Sequence, residues 1–132
     1  MKKVAFICVH NSCRSQMAEA FAKVLGLDVL KAYSAGTETK PHINQDAVSV
    51  MKEIGIDMEI NQKSKLLEDI PEVDIVITMG CNVACPMIKS SHREDWGIED
   101  PSGKDLTEFR KVRKLIKTKV DYLVERIEKG IL

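Results

Sequence analysis

Three segments follow one another without a break near the start of the chain: the apolar stretch Val4 to Ile7, the run Cys8-Val9-His10-Asn11-Ser12-Cys13-Arg14-Ser15, and Gln16-Met17-Ala18-Glu19-Ala20. A short apolar run closed by a polar loop reads as a buried strand. The spacing of Met17, Ala20, Phe21, Val24 and Leu25 reads as one face of a helix. A strand that passes into a helix this quickly commits the chain to a βα unit, and so to a parallel sheet. Five residues separate Cys8 from Arg14, enough for the backbone to curl with its N–H groups facing inward at the positive end of the helix dipole. Such a hollow suits a tetrahedral oxyanion.

Helix N-termini and neighbouring cations favour thiolate over thiol, which marks Cys8 as a nucleophile. The Arg14 guanidinium can hold two anion oxygens at once, and Ser15 can donate to the Cys8 sulfur or cap the helix. Asn11 suits a left-handed stretch of backbone, which asparagine tolerates better than most residues. Cys8, Val9, His10, Asn11, Ser12, Cys13, Arg14 and Ser15 are therefore the expected oxyanion-binding loop. The plainer alternative is a buried cysteine at a strand end followed by an ordinary cap. The order strand, Cys-x5-Arg-Ser, amphipathic helix argues against it.

Along the rest of the chain, residues 3–9 are predicted as a strand and 14–26 as a helix closed by Gly26. A second strand, 28–34, runs into Ser34-Ala35-Gly36, and a helix over 44–54 turns Ala47, Val50, Met51 and Ile54 inward before Gly55. A loosely structured stretch, 56–71, precedes a central strand at 73–79 and a shorter one at 92–96. Leu106, Phe109, Val112, Ile116, Val120, Leu123 and Ile127 give the last helix the clearest period in the chain. The expected fold is one α/β domain over residues 1–132: a three-layer α/β/α arrangement around a central four-stranded parallel sheet. In such sheets ligands bind beyond the carboxyl ends of the strands. Cys8, Ser34 and Cys81 are thus expected at one edge.

The 20 basic and 20 acidic side chains cancel, which removes any electrostatic case for a nucleic-acid or anionic-membrane partner. No apolar run approaches the roughly 18–20 residues of a membrane span, and the lysines after Met1 lead straight into a strand. A soluble, cytoplasmic protein is expected. In that compartment four cysteines, Cys8, Cys13, Cys81 and Cys85, point to catalysis, redox chemistry or metal rather than to structural disulfides.

Cys81 and Cys85 stand four residues apart just past a strand. On a helix their Cα atoms fall within the ~4.4–6.8 Å that a disulfide spans. A redox relay, a metal site with His92 as third ligand, and inert thiols are the three readings. The spacing is wider than the usual zinc Cys-x2-Cys and four clear ligands are lacking, so no metal or other cofactor is expected. Asp100, in the turn-rich loop Asp95 to Gly103, reads either as a turn residue or as a carboxyl that, partly desolvated beside an oxyanion, stays protonated long enough to serve as general acid.

Taken together, Cys8 through Ala20, Ser34-Ala35-Gly36, Val73 to Cys81, Trp96-Gly97 through Asp100-Pro101 and Gly103-Lys104 resemble the thioredoxin-coupled arsenate reductases, which are built on the low-molecular-weight protein tyrosine phosphatase fold. The resemblance covers essentially the whole chain. It implies that Cys8 attacks arsenate while Arg14 and the loop hold it, that Asp100 protonates the departing oxygen, and that Asn11, Ser15, Glu19 and Ser34 support the loop. It also implies that Cys81 then releases arsenite by forming a Cys8–Cys81 disulfide, and that Cys85 moves this to Cys81–Cys85 for reduction by thioredoxin or another thiol reductant. Two departures stand out. Only Asn82-Val83-Ala84 separate the last two cysteines, a shorter stretch than the family commonly has. Where some relatives bind potassium near the loop, Asn11 and Glu19 match but the later positions are Lys63 and Lys65; a lysine ammonium is expected to take the cation's place. The alternative readings are a low-molecular-weight phosphatase working through a Cys8 phosphoenzyme, in which Cys13 protects Cys8 as a reversible disulfide, and a thiol-based oxyanion or redox sensor. Against the phosphatase, Ser102-Gly103-Lys104 follows Asp100-Pro101 where phosphatases carry adjacent tyrosines.

Overall fold

Four parallel strands lie in the order β2-β1-β3-β4: β1 (Lys2–Ile7), β2 (Leu30–Ala35), β3 (Ile75–Thr78) and β4 (His92–Asp95). The computed structural model describes residues 1–80 and 88–132. The apolar residues Val4 to Ile7 make β1 the centre of the sheet, because a strand without polar side chains on either face must be covered on both. Ile7 is level with Ala35 on one side and with Thr78 on the other. The carboxyl ends of β1, β2 and β3 therefore finish together, and the chain leaves β1 and β3 toward opposite edges, which opens a crevice above β1.

The helices are α1 (Arg14–Leu25), α2 (Gln45–Lys52), α3 (Met58–Asn61) and α4 (Leu106–Glu128). Met17, Phe21, Met51, Phe109, Ile116 and Leu123 join Val4, Phe6, Ile75 and Ile77 in one core, so the long helices share a single face of the sheet. Among the described residues the other face, with Ala5, Ile7 and Val76, is covered by Tyr33, Leu67, Ile70 and Ile88.

Several boundaries differ from the sequence expectation. β1 stops at Ile7 because Cys8 and Val9 already turn into the loop, and β2 begins at Leu30 because a turn closed by Val29 N–H to Gly26 O (2.9 Å) occupies the residues before it. Asn44 caps α2 rather than belonging to it, its Oδ1 accepting from Asp46 N and Ala47 N. Val24 and Ile54, expected in the core, are 58% and 44% exposed. They line an open groove with Leu25 and Ile56, bordered on the α4 side by Arg110, Lys114 and Lys117. The stretch 56–71 is more ordered than expected: Asp57 caps α3 and Met58 is buried, and Leu67–Asp69 form a 3-10 turn. Elements of three and four residues are too short to show a period.

The edge strand β4 is fastened to α4 by charge. Arg126 donates to both Glu94 oxygens at 2.9 Å, Trp96 Nε1 donates at 2.8 Å, and His92 Nε2 lies 2.7 Å away. His92, considered above as a metal ligand, is thus engaged within β4. Burial opposes the Glu94 charge, yet the bonds from Arg126, His92 and Trp96 outweigh it and hold the carboxyl at about 2 against an ordinary 4.5. Because the folded value is the lower one, this stabilisation is complete above about 4.5 and is lost as pH falls toward about 2. Glu94→Gln is expected to cost about 1–2 kcal/mol at pH 7, discounted for partial exposure. In urea titrations the gap from the parent protein should shrink steadily between pH 4.5 and pH 2.

Candidate active site

The loop after β1 owes its shape to backbone packing and to one buried amide. Gly36, just past β2, lies so close that a Cβ on it would stand 2.4 Å from Val9 O and 2.7 Å from Cys8 O. Only glycine lets β2 support the loop at that distance. Asn11 has φ +50°, the left-handed conformation expected of it. Its Oδ1 accepts from Lys65 N (2.8 Å) and Gln16 Nε2 (2.9 Å), which turns its Nδ2 toward Ser15 Oγ at 2.9 Å. With that lone pair occupied, the Ser15 proton is free to point at Cys8 Sγ, 2.8 Å away. Of the two roles open to Ser15, the structure shows the bond with sulfur; Cys13 is the N-cap of α1, with no side-chain cap bond.

Cys8, Val9, His10, Ser12, Cys13, Arg14 and Asp100 line one cavity of about 280 Å³, together with Lys40 and Ser102. Asn11 and Ser15 are buried, tied to the Cys8 sulfur through the chain of bonds just described. Burial first, then the charges of Asp100 and Cys8, pushes the Cys13 thiol far above its usual range, so it stays protonated. Arg14 Nη1 gives its two protons to Met79 O (2.6 Å) and Ile98 O (2.7 Å). The fork left for an anion is Nε with Nη2, still a two-point grip.

Asp100 also lines this cavity. Burial would raise its carboxyl, but the Ser102 N–H and hydroxyl and the charges of Arg14 and His10 hold it below the usual carboxylate range. Half exposed, with its Oδ2 3.9 Å from Arg14 Nη2, it is ionised in the free site rather than kept protonated. An anion bound beside it would shift it upward.

Deeper in, the buried Glu19 accepts from the Ser34 hydroxyl and is paired with Lys23 (2.5 Å) and Lys65 (3.4 Å). Lys65 Nζ also donates to Lys63 O at 2.9 Å. The lysine at the position noted from the sequence thus brings an ammonium to Glu19, while Lys63 contributes its carbonyl. Cys81 and Cys85 lie outside the described residues. Among the described residues no group of three or more His, Cys, Asp and Glu side chains is placed to hold a metal, and no helix is long and apolar enough to cross a membrane. Lys40, Gln16 and Ser102 were not singled out from the sequence. Lys40 sits in the loop after Gly36, where Lys40 N donates to Ser64 Oγ (3.1 Å) and Ser64 Oγ donates to His10 O (2.8 Å), contacts that no local motif announces.

A thiol, a guanidinium fork and a helix N-terminus around one anion-sized cavity define a protein class that handles oxyanions through cysteine. Residues 3–131 match the family described as low molecular weight phosphotyrosine protein phosphatase, and the chain belongs to that family. Within it, the chain is 43% identical over 131 residues to arsenate reductase 1 of Staphylococcus epidermidis, covering 96% of this chain and 98% of that protein. It is 42% identical over 132 residues to the glutaredoxin arsenate reductase of Synechocystis sp., covering 96% and 99%. A solved arsenate reductase in the phosphate-binding state, 42% identical, superposes with a TM-score of 0.87 over 96% of this chain and 99% of its own.

Gly36→Ala is expected to lower phosphate affinity at least about tenfold, because the new methyl must displace loop carbonyls from an array that works only when its N–H groups converge. Isothermal titration with inorganic phosphate measures it.

Proposed function

We propose that this arsenate reductase attacks arsenate with the Cys8 thiolate and passes the oxidation through Cys81 and Cys85 to a dithiol reductant of the thioredoxin class. The observation that carries the reading is the Cys8 sulfur, 2.8 Å from the Ser15 hydroxyl, in a cavity that Arg14 and Asp100 also line. Hydrogen bonding to the thiolate stabilises it before substrate arrives, and the Arg14 fork with the loop N–H groups offsets the charge of the bound anion.

In the first step Cys8 sulfur bonds to arsenic(V) and one arsenate oxygen leaves as water, with protons supplied by Asp100 and solvent. Asp100 takes up its proton once the anion is beside it. Cys81 thiolate then bonds to the Cys8 sulfur; the sulfur–arsenic bond breaks, its electron pair stays on arsenic, and arsenite departs. Arsenic gains two electrons and the two sulfurs lose two. Attack of Cys85 on Cys81 restores the Cys8 thiolate, a good leaving group, and leaves a Cys81–Cys85 disulfide that the external dithiol reduces. Lys65, held between Glu19 and Lys63 O, supplies the positive charge beside the loop, so no free cation is required.

The test is arsenate-dependent oxidation of NADPH through thioredoxin and its reductase, run beside p-nitrophenyl phosphate hydrolysis. Cys8→Ser abolishes both activities; Cys81→Ser abolishes arsenate reduction and leaves hydrolysis intact. Arsenate reduction undiminished in Cys81→Ser refutes the relay, hydrolysis without any reduction in the parent protein favours the phosphatase, and neither activity favours a sensor. Replacing sodium by potassium at constant ionic strength leaves the reduction rate unchanged; a clear rise refutes the internal-cation reading.

A further inference from the structure

The residue immediately before Cys81 is held by a carboxylate that no step above uses. Asp95 Oδ1 accepts from Gly80 N at 2.7 Å and from Thr78 Oγ1 at 2.7 Å. Thr78 and Asp95 are the last residues of β3 and β4 and stand opposite each other in register. Thr78 is buried, and Trp96 N donates to its carbonyl at 2.8 Å. Met79 N donates to Ile7 O at 3.1 Å, and Met79 O receives Arg14 Nη1. Gly80 turns with φ +92° against Gly97, where a Cβ would meet Gly97 Cα at 3.1 Å. Three successive residues leading into Cys81 are thus tied to β1, to β4 and to the arginine of the anion loop.

Register converts these ties into reach. Thr78 pairs with Ile7 and Met79 N donates to Ile7 O, so Met79 stands beside the end of β1 from which Cys8 follows. Two further residues of chain span at most ~7 Å, and a disulfide needs its Cα atoms within ~4.4–6.8 Å. Fixing Gly80 anchors the point from which the chain runs on to Cys81; a loose Gly80 adds two free dihedrals and a wider search.

We propose that Asp95 is a positioning residue for the relay, acting through the Gly80 amide to set the place from which Cys81 attacks the Cys8 sulfur. The proposal rests on the relay described above. It assigns Asp95 to the second step alone, in which the Cys81–Cys8 bond forms and arsenic leaves with the electron pair. Anion binding and the first attack proceed without it, because the loop and Cys8 make no bond to Asp95.

The experiment uses fully reduced full-length protein given one equivalent of arsenate without reductant, quenched in acid at intervals and alkylated. Mass spectrometry counts the Cys8–Cys81 disulfide together with the Cys81–Cys85 disulfide that it passes into. Phosphate affinity and the rate of Cys8 alkylation by iodoacetamide are measured on the same preparations. Asp95→Ala slows disulfide formation about tenfold, the scale of one lost charge-assisted hydrogen bond, while phosphate affinity and alkylation stay within about twofold of the parent. Asp95→Asn, whose amide oxygen still accepts both bonds, restores most of the rate. An unchanged rate in Asp95→Ala overturns the proposal, as does a loss of phosphate affinity that matches the loss of rate, which marks a general structural effect. Absence of any disulfide at Cys81 in the parent protein, whether to Cys8 or to Cys85, refutes the relay itself, and is distinguishable because it needs no variant.

Discussion

The orientation of one buried amide, that of Asn11, decides what the anion loop can do. Its carbonyl oxygen is occupied by two N–H donors, Lys65 N and Gln16 Nε2, so its NH₂ group must face Ser15. The Ser15 proton is then left for the Cys8 sulfur. A flipped amide would set donor against donor at Lys65 and at Gln16, each unmade bond costing about 1–3 kcal/mol when buried. The same residue holds the left-handed backbone that turns the loop. Conformation of the loop and polarity at its nucleophile therefore rest on a single side chain, which is itself positioned from outside the loop by the segment Lys63 to Lys65.

Arg14 has a comparable double role. It leads α1, so its charge stands at the end of the helix where anions gather. Its Nη1 is spent on carbonyls at Met79 and Ile98, one in the approach to Cys81 and the other two residues before Asp100. A guanidinium is suited to this because its fixed fork can serve two backbones on one edge and an anion on the other; a lysine would have to choose. Beneath, Glu19 is almost wholly buried, and Lys23, Lys65 and the Ser34 hydroxyl all bond to its carboxylate.

What the sequence revealed followed from repetition. β1, β3, α1 and α4 have enough apolar residues in period to be placed within two residues of their observed ends, and the Cys8 to Ser15 run is contiguous, so its chemistry is visible without a fold. Contributions from single residues of remote loops were not visible. Lys40 reaches the cavity because Ser64 pins its backbone to His10, and Gln16 matters because three carbonyl oxygens converge on its amide. Val24 and Ile54 kept the correct period but face an open groove whose α4 side is made of Arg110, Lys114 and Lys117 rather than apolar side chains. Asp100 was placed correctly in its loop, whereas its ionised state depends on Ser102, Arg14 and His10 converging on it.

The close approach of Gly36 has an evolutionary corollary. Everything a side chain there would strike, Val9 O, Cys8 O and Asn11 N, belongs to the main chain. The fit between β2 and the loop is therefore written in atoms that every amino acid shares. Val9, His10 and Ser12 can be exchanged without disturbing that seam, so the rim facing the substrate is free to diversify while its scaffold stays constant. A glycine with no chemistry of its own is thus what permits one cradle to be refitted for different oxyanions.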